Sequence, residues 1–326
     1  MMLRYFYHEA RKRIRILKNL TSNIIEKPVI ILLYHRVADL EIDSQLLSVS
    51  IKNFDEQIKF LKSSYPILRF EDKWDNIKEK SICITFDDGY ADNYYNALPI
   101  LEKYNVPATF FISSGYIGTN KEFWWDDLER IILLNKVIPA EVTINISGVA
   151  YKWNTGSKGE ILNFYNQLHP LLNDVSNTER IHIINELIEK LTPNLDYRDT
   201  HRVLNELELK KFSQSPLVTI GGHTITHTRL GIQSYNEQKF EIDKSTDKIE
   251  SIINDKLVVF SYPFGQKCDY NHDTIKILKD NNFKKVASNF PGQVHSWSNK
   301  YEIPRNLVRN WDVNVFKKEI RRFFTI

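Results

Sequence analysis

Ser81-Ile-Cys-Ile-Thr-Phe-Asp-Asp-Gly-Tyr90 is the stretch that organises the chain. Ile82, Ile84 and Phe86 make a short apolar run that stops at two adjacent carboxylates and a glycine. That pattern predicts a buried strand ended by a turn. Asp87 and Asp88 then lie at the carboxyl end of a core strand, where parallel α/β folds carry their chemistry. Two neighbouring carboxylates are costly there unless a cation lies beside them.

Working outward, Val29-Ile-Ile-Leu-Leu-Tyr-His35 predicts the first core strand, with His35 and Arg36 at its exit. Ser50 caps an amphipathic helix over 51–62 that buries Ile51, Phe54, Ile58 and Leu61. A helix over 93–104 and a strand over 108–112 follow. From about 120 to 205 the strand–helix rhythm is lost. Helical patterns at 123–134, 159–172 and 177–191 flank a hairpin centred on Ser147-Gly148, and together they predict an insertion. Alternation resumes with strands at 217–220, 257–262 and 285–288, helices over 234–253 and 273–281, an extended segment over 301–308 and a last helix over 313–324. Repeated units of this kind predict a barrel-like parallel sheet. The expected organisation is a basic segment, 1–27, followed by a barrel over 28–326 with the insertion at about 120–205.

The 326 residues are 42% hydrophobic and 26% charged, ordinary for a globular protein with a substantial core. Cys83 and Cys268 are the only cysteines, so no disulfide framework or zinc–cysteine cluster is expected. The net charge of +3 is uneven, because residues 1–27 hold seven cationic and two acidic side chains. The remainder is slightly acidic, which argues against a nucleic-acid-binding surface. Residues 1–26 predict a basic, partly amphipathic helix, suited to peripheral contact with an anionic membrane or to a solvated position on the body. No run is long and apolar enough to span a bilayer, and the start lacks the apolar core of a signal peptide. The expected location is the cytoplasm, free or held at the inner membrane face.

His223 and His227 are four apart after a Gly-Gly turn, a spacing that on a helical turn puts both imidazoles on one face. With a carboxylate from another strand end they make a three-ligand set for a divalent metal, with positions left open. Asp88 can then bind the metal while Asp87 stays a base able to deprotonate water. This is equipment for hydrolysing an amide or ester without a covalent intermediate.

Thr85-Phe-Asp-Asp-Gly-Tyr90, His223-Thr-Ile-Thr-His227 and Tyr262-Pro-Phe-Gly265 resemble, in order and in strand-end placement, the successive motifs of the polysaccharide deacetylase family, the NodB-homology group of carbohydrate esterase family 4. The resemblance runs from about Val29 to Val308 apart from the insertion. It implies a distorted (β/α)7 barrel that removes N-acetyl groups from amino sugars with one divalent metal, zinc or else cobalt, nickel or iron. On that basis Asp87 is the base, Asp88, His223 and His227 are the metal ligands, Thr224 braces the histidine loop by hydrogen bonding, and the Phe264 N–H is the oxyanion donor. Many members carry an arginine ahead of the third motif's proline; here Phe260-Ser-Tyr-Pro263 has none, and Arg305 is the expected substitute partner of Asp87. The late Leu-x-His that supplies the general acid is also missing. His35 resembles the first-placed histidine of the poly-N-acetylglucosamine deacetylases, with His295 as its rival. His8, His169, His182, His201 and His272 lie outside the motifs and are expected to be structural or at the surface. Tyr90, Trp124, Trp125, Trp297 and Trp311 are candidates for stacking on sugar rings, although the Trp-Trp pair equally suits a core anchor for its insertion helix. The expected substrate is an N-acetylated glycan of surface-polysaccharide assembly. Rival readings are an O-deacetylase or other amidohydrolase on the same barrel, and a glycan-binding protein without turnover.

Overall fold

The computed structural model describes residues 16–17, 19–192 and 196–325. Its strands in chain order are β1 (Val29–Tyr34), β2 (Arg36–Val37), β3 (Ser48–Val49), β4 (Ile67–Leu68), β5 (Ser81–Phe86), β6 (Ala108–Ile112), β7 (Glu141–Ile146), β8 (Val149–Asn154), β9 (Val218–Gly222), β10 (Val259–Ser261), β11 (Lys285–Ala287) and β12 (Asn306–Leu307). The main sheet runs β11-β10-β9-β6-β5-β1-β12, with β4 beside β5. Every pairing in it is parallel. The β1 and β5 segments are buried along their whole length, which is why they read as continuous apolar runs.

The sheet curls until its edges are joined by a single segment. Ile303 bridges Ala287 of β11, and three residues later Asn306 pairs with Leu32 of β1. The seven staves make the distorted (β/α)7 barrel that the sequence predicts. The extended segment expected over 301–308 is only partly a strand: it is a one-residue bridge followed by the two-residue β12.

Strand alternation divides the core in two. Val29, Ile31, Cys83, Phe111, Val259, Ala287 and Ile303 cluster inside the barrel with Phe70, Trp74 and Val294. Ile30, Leu32, Tyr34, Ile82, Ile84 and Phe86 face outward onto helix Ile51–Ser64 through Phe54 and Ile58. Ser50 caps that helix, its hydroxyl accepting from the Asn53 N–H. Helices Leu98–Tyr104, Tyr235–Ile253, His272–Asp280 and Val313–Phe323 fall within a few residues of their expected bounds. The first is preceded by a π-helical turn over Asn93–Ala97.

Between β6 and β9 the insertion holds helix Trp124–Leu128 with a π-helical turn after it, the β7–β8 hairpin, and helices Lys158–Asn173 and Asn177–Leu191. Ser147 and Gly148 both take positive φ at the hairpin turn, 49° and 80°. Helix Glu206–Ser213, absent from the sequence reading, leads back to β9. Of the expected N-terminal helix, 1–15 and 18 lie outside the described residues, while 16–17 and 19–25 are helical. This stretch sits at the amino end of the barrel, where Asn23 Oδ1 meets His295 Nε2 at 3.0 Å and Glu26 accepts from the Ser296 N–H. No helix among the described residues is long and apolar enough to cross a membrane.

Candidate active site

The inward-facing rows change character at the carboxyl end. Above Cys83 come Thr85 and Asp87, above Val259 comes Ser261, and above Ile303 comes Arg305. Arg305 is 1% exposed and forms a bidentate pair with Asp87, Nη1 to Oδ1 at 2.7 Å and Nη2 to Oδ2 at 2.6 Å. Its Nε donates to the Ser288 carbonyl and its Nη2 to Ser261 Oγ, so the guanidinium plane is fixed on three sides. Burial alone pushes the Asp87 carboxyl up; the Arg305 charge, with His223 behind it, overrides burial and holds it well below the usual carboxylate range. The sequence lacks an arginine before Pro263, and the strand that closes the barrel supplies one instead.

Asp88 is the opposite case. It sits at φ 77° in the turn after β5, followed by Gly89 at φ 87°. A Cβ on Gly89 would lie 3.0 Å from the Ile112 side chain, so both conformation and space call for glycine. Asp88 Oδ1 is buried without a hydrogen-bond partner, 3.6 Å from His223 Nε2 and 3.4 Å from His227 Nε2. Burial, then the Asp87 charge, pushes its carboxyl well above the ordinary range. His223 Nδ1 lies 2.8 Å from the Ser261 carbonyl, which requires the proton on Nδ1 and leaves Nε2 as a lone-pair donor. Burial keeps both imidazoles neutral. One oxygen and two ring nitrogens thus converge within 4.8 Å of one another. An orphaned carboxylate oxygen and two neutral imidazoles fit a divalent cation with N/O preference.

The histidines are not on a helical turn as the spacing suggests. They lie in a loop with Thr224 at φ 65° and His227 at φ 52°, yet their rings are 4.9 Å apart. Thr224 does not brace this loop through its side chain, since its hydroxyl is buried without a partner. Glu241 does so from helix Tyr235–Ile253, accepting from the Ile225 and Thr226 N–H groups and from Thr226 Oγ1. Ser245 Oγ donates to the Thr224 carbonyl. A glutamate on a distant helix carries no local signal for this role.

A cleft of about 350 Å³ opens over these residues, with Asp87, Asp88, His227, His35 and Phe264 in its wall. His35 Nδ1 is enclosed and unbonded, and burial lowers the imidazole to about 4 against the opposing charge of Asp87. Phe264 adopts φ 60°, packs its ring edge-on to His227 at 4.9 Å, and leaves its N–H without a partner among the described residues. Trp124 and Trp125 also line the cleft, Trp125 with its ring 4.7 Å from that of His227.

The other expected candidates lie elsewhere. His295 and its stacked neighbour Trp297 are at the amino end, because Val294 pairs antiparallel with Val29 at the start of β1; the rival acid is therefore at the wrong end of the barrel. Tyr90 is fully buried, donating to Asp126 at 2.6 Å and accepting from Trp125 Nε1 at 2.8 Å, so it supports Trp125 and presents no face to a sugar. Trp311 packs against Phe323 outside the cleft. Conversely His169, expected to be structural or at the surface, lines the cleft with Asn173 from the insertion helix Lys158–Asn173, and Arg309 lines it from beyond β12. None of the three belongs to a motif, and only tertiary docking brings them here.

Fold and site together define a family. The polysaccharide deacetylase family model matches residues 75–134 and 149–286, and the chain belongs to that family. His35 and Arg305 fall outside the matched segments. A putative polysaccharide deacetylase of Bacillus subtilis, YxkH, is 21% identical over 291 residues, covering 86% of this chain and 72% of its own length. The poly-β-1,6-N-acetyl-D-glucosamine N-deacetylase of Staphylococcus aureus is 42% identical over 77 residues, covering 22% of this chain and 27% of that enzyme. Among solved structures, the Streptococcus pyogenes deacetylase PplD, in complex with acetate, superposes with a TM-score of 0.58 at 17% identity over 92% of this chain and 99% of that one. IcaB from Ammonifex degensii superposes at 0.57 and 15% identity over 92% and 98%. At these identities the structural likeness is one of fold.

Proposed function

We propose that this protein is a metal-dependent hydrolase that removes N-acetyl groups from an amino sugar within a glycan, as a step in surface-polysaccharide biosynthesis. The observation that carries this reading is the contrast between the two adjacent aspartates: Arg305 holds Asp87 ionised, while Asp88 turns an unpaired oxygen toward two neutral imidazoles. Asp88, His223 and His227 would hold the cation, which when bound supplies Lewis acidity to activate water and polarise the acetamide carbonyl. Asp87 takes the proton from the attacking water, and its pairing with Arg305 keeps it in the deprotonated form this needs. The free Phe264 N–H is the donor for the oxyanion as the carbonyl becomes tetrahedral. His35 is neutral at rest, so the proton it delivers to the amine nitrogen as the C–N bond breaks is the second one released by the attacking water on the way to acetate. The products are acetate and a free amino sugar. Trp124 and Trp125, each 5% exposed, contribute apolar wall to the cleft that takes the sugar.

The test is acetate release from N-acetylated and O-acetylated oligosaccharides, with and without added zinc, cobalt, nickel or iron. Release from the N-acetylated set, abolished by a chelator and restored by metal, supports the proposal. Release confined to O-acetyl groups, or binding without release under every metal, overturns it.

We also propose that residues 1–26 hold the protein peripherally at the inner face of a membrane. Leu17, Leu20, Ile24 and Ile25 are exposed on the described part of the helix, and Arg4, Arg11, Lys12, Arg13 and Arg15 precede it in the sequence. Co-sedimentation with anionic but not zwitterionic vesicles, lost on deleting 1–26, is the expected result; equal sedimentation with and without the segment refutes the idea.

A further inference from the structure

Arg36 and Arg198 each end on a carboxylate, Arg36 on Asp92 and Arg198 on Glu122 and Glu129, as Arg305 does on Asp87. Arg309, half-buried in the wall of the cleft, does not. No carboxylate among the described residues lies within 4.0 Å of it. Its Nη1 donates to the Gln45 carbonyl at 3.1 Å and to the Leu46 carbonyl, which anchors one edge of the guanidinium. Nε and Nη2 have no partner among the described residues. The nearby Asp43 offsets part of the Arg309 charge through space without touching it, its two oxygens accepting from the Leu47 and Ser48 N–H groups at 2.8 and 2.9 Å.

The cleft contains two acids, and both are accounted for. Asp87 is neutralised by Arg305, and Asp88 belongs to the donor set; the described cleft wall holds no third carboxylate. Arg309 is thus a charge without a direct ion-pair partner among the described residues, facing the same space as the reacting groups, together with the uncharged side chains of Gln45, Asn173 and Asn289. Filling the cleft strips water from Nε and Nη2, which is unfavourable for a half-buried guanidinium unless the ligand supplies a counter-charge. A guanidinium fixed along one edge offers its remaining donors in the planar geometry that matches a carboxylate or phosphate.

We infer that Arg309 forms a subsite for an anionic group on the glycan, a uronate carboxylate or a phosphate ester next to the N-acetylated sugar, so that the preferred substrate is an acidic glycan. This rests on the glycan deacetylase reading above. A neutral chain would leave Arg309 desolvated and unpaired when the cleft fills. An acidic chain replaces the water it loses with an ion pair.

The experiment compares three N-acetylated oligosaccharides of equal length: neutral, uronate-bearing and phosphate-bearing. The wild-type protein should show a lower KM for one or both acidic chains, with the advantage shrinking as salt is raised. The better of the two acidic chains identifies the anion. Arg309→Gln should raise KM on that chain about tenfold or more, the size of one lost charge-assisted hydrogen bond, with kcat held and KM for the neutral chain level or lowered. Arg309→Lys should recover part of the loss. A neutral-chain KM that does not rise, with kcat held, also shows that the Gln45–Leu46 loop survives the substitution. Equal wild-type KM for neutral and acidic chains, or an equal effect of Arg309→Gln on both, overturns the inference. If the wild type releases no acetate from any chain, the deacetylase reading fails and calorimetric binding decides the subsite separately. Weaker binding of the acidic chain to Arg309→Gln sustains it, and equal binding removes it.

Discussion

At the amino end of the barrel, Val29, Ile31, Cys83, Phe111 and Val259 close on one another as an apolar plug. At the carboxyl end the same strands present Thr85, Asp87, Ser261 and Arg305. The two ends also differ in which residues take positive φ: in the turns leading into β5, β6, β10 and β11 these are Asn76, Asn105, Asn254 and Asn282, a residue type that tolerates it. Asp88, Thr224, His227 and Phe264 all take positive φ without being glycine, and all lie at the carboxyl end. Asp88 Oδ1, Thr224 Oγ1, His227 Nδ1 and His35 Nδ1 are buried there without partners. Each such residue costs on the order of 1–3 kcal/mol. The plug supplies the stability that lets the other end be strained, and the strain marks where chemistry is to be done.

Substitutions at either end should therefore separate activity from stability. The largest expected effect is at Asp87. Asp87→Asn should lower kcat for acetate release by about 10²–10⁴-fold, with the circular dichroism melt still cooperative and metal still bound; wild-type turnover would remove Asp87 as the base. Next is Arg305→Gln, which strands a buried carboxylate and should cost about 3–5 kcal/mol in denaturant unfolding as well as activity. Stability loss without activity loss would show that the pair is merely structural. At the other end, Ile303→Ala should cost about 2–5 kcal/mol through a cavity in the plug while leaving kcat unchanged below the melting transition. A drop in kcat there would mean that the two ends are not separable. A smaller effect of opposite sign is expected at Thr224, where Thr224→Gly relieves a β-branched residue at positive φ and an orphaned hydroxyl. It should stabilise by about 1 kcal/mol, read as a raised melting temperature. The smallest effect concerns Lys285 in β11, whose ammonium lies 3.3 Å from the centre of the Trp74 ring. Burial lowers it from 10.5 to about 8. Between those values the folded state binds fewer protons than the unfolded, so stability should rise with pH across that window. Lys285→Met should flatten the slope; an identical slope would show that Lys285 does not titrate there.

What the sequence disclosed follows the range of each interaction. β1, β5, β6 and most helices are legible because burial periodicity and caps are local. Asp87, Asp88, His223 and His227 are legible because each motif carries its turn with it. Arg305 is visible only as an arginine needing a strand end, and the barrel's closure turns it toward Asp87. Errors arise where strand order decides. His295 and Trp297 look like mouth residues until Val294 is seen paired with the first residue of β1. His169, Asn173 and Arg309 carry no pattern, because the docking of the insertion and the turn after β12 bring them to the cleft. Thr224 and Glu241 exchange the expected bracing role because helix Tyr235–Ile253 packs against the loop, a contact that no spacing encodes.

The segment from Ile303 to Leu307 joins the sheet's two edges and carries Arg305, 218 residues after its partner Asp87. A ribosome therefore makes Asp87 long before its counter-charge. Until that last stave is laid, Asp87 is a hydrated carboxylate at a strand end, ionised by water and held in place by no partner. A nascent or partly unfolded chain with an open seam leaves Asp87 unoriented, however well its histidine loop is formed. Closing the barrel and completing the candidate site are one event.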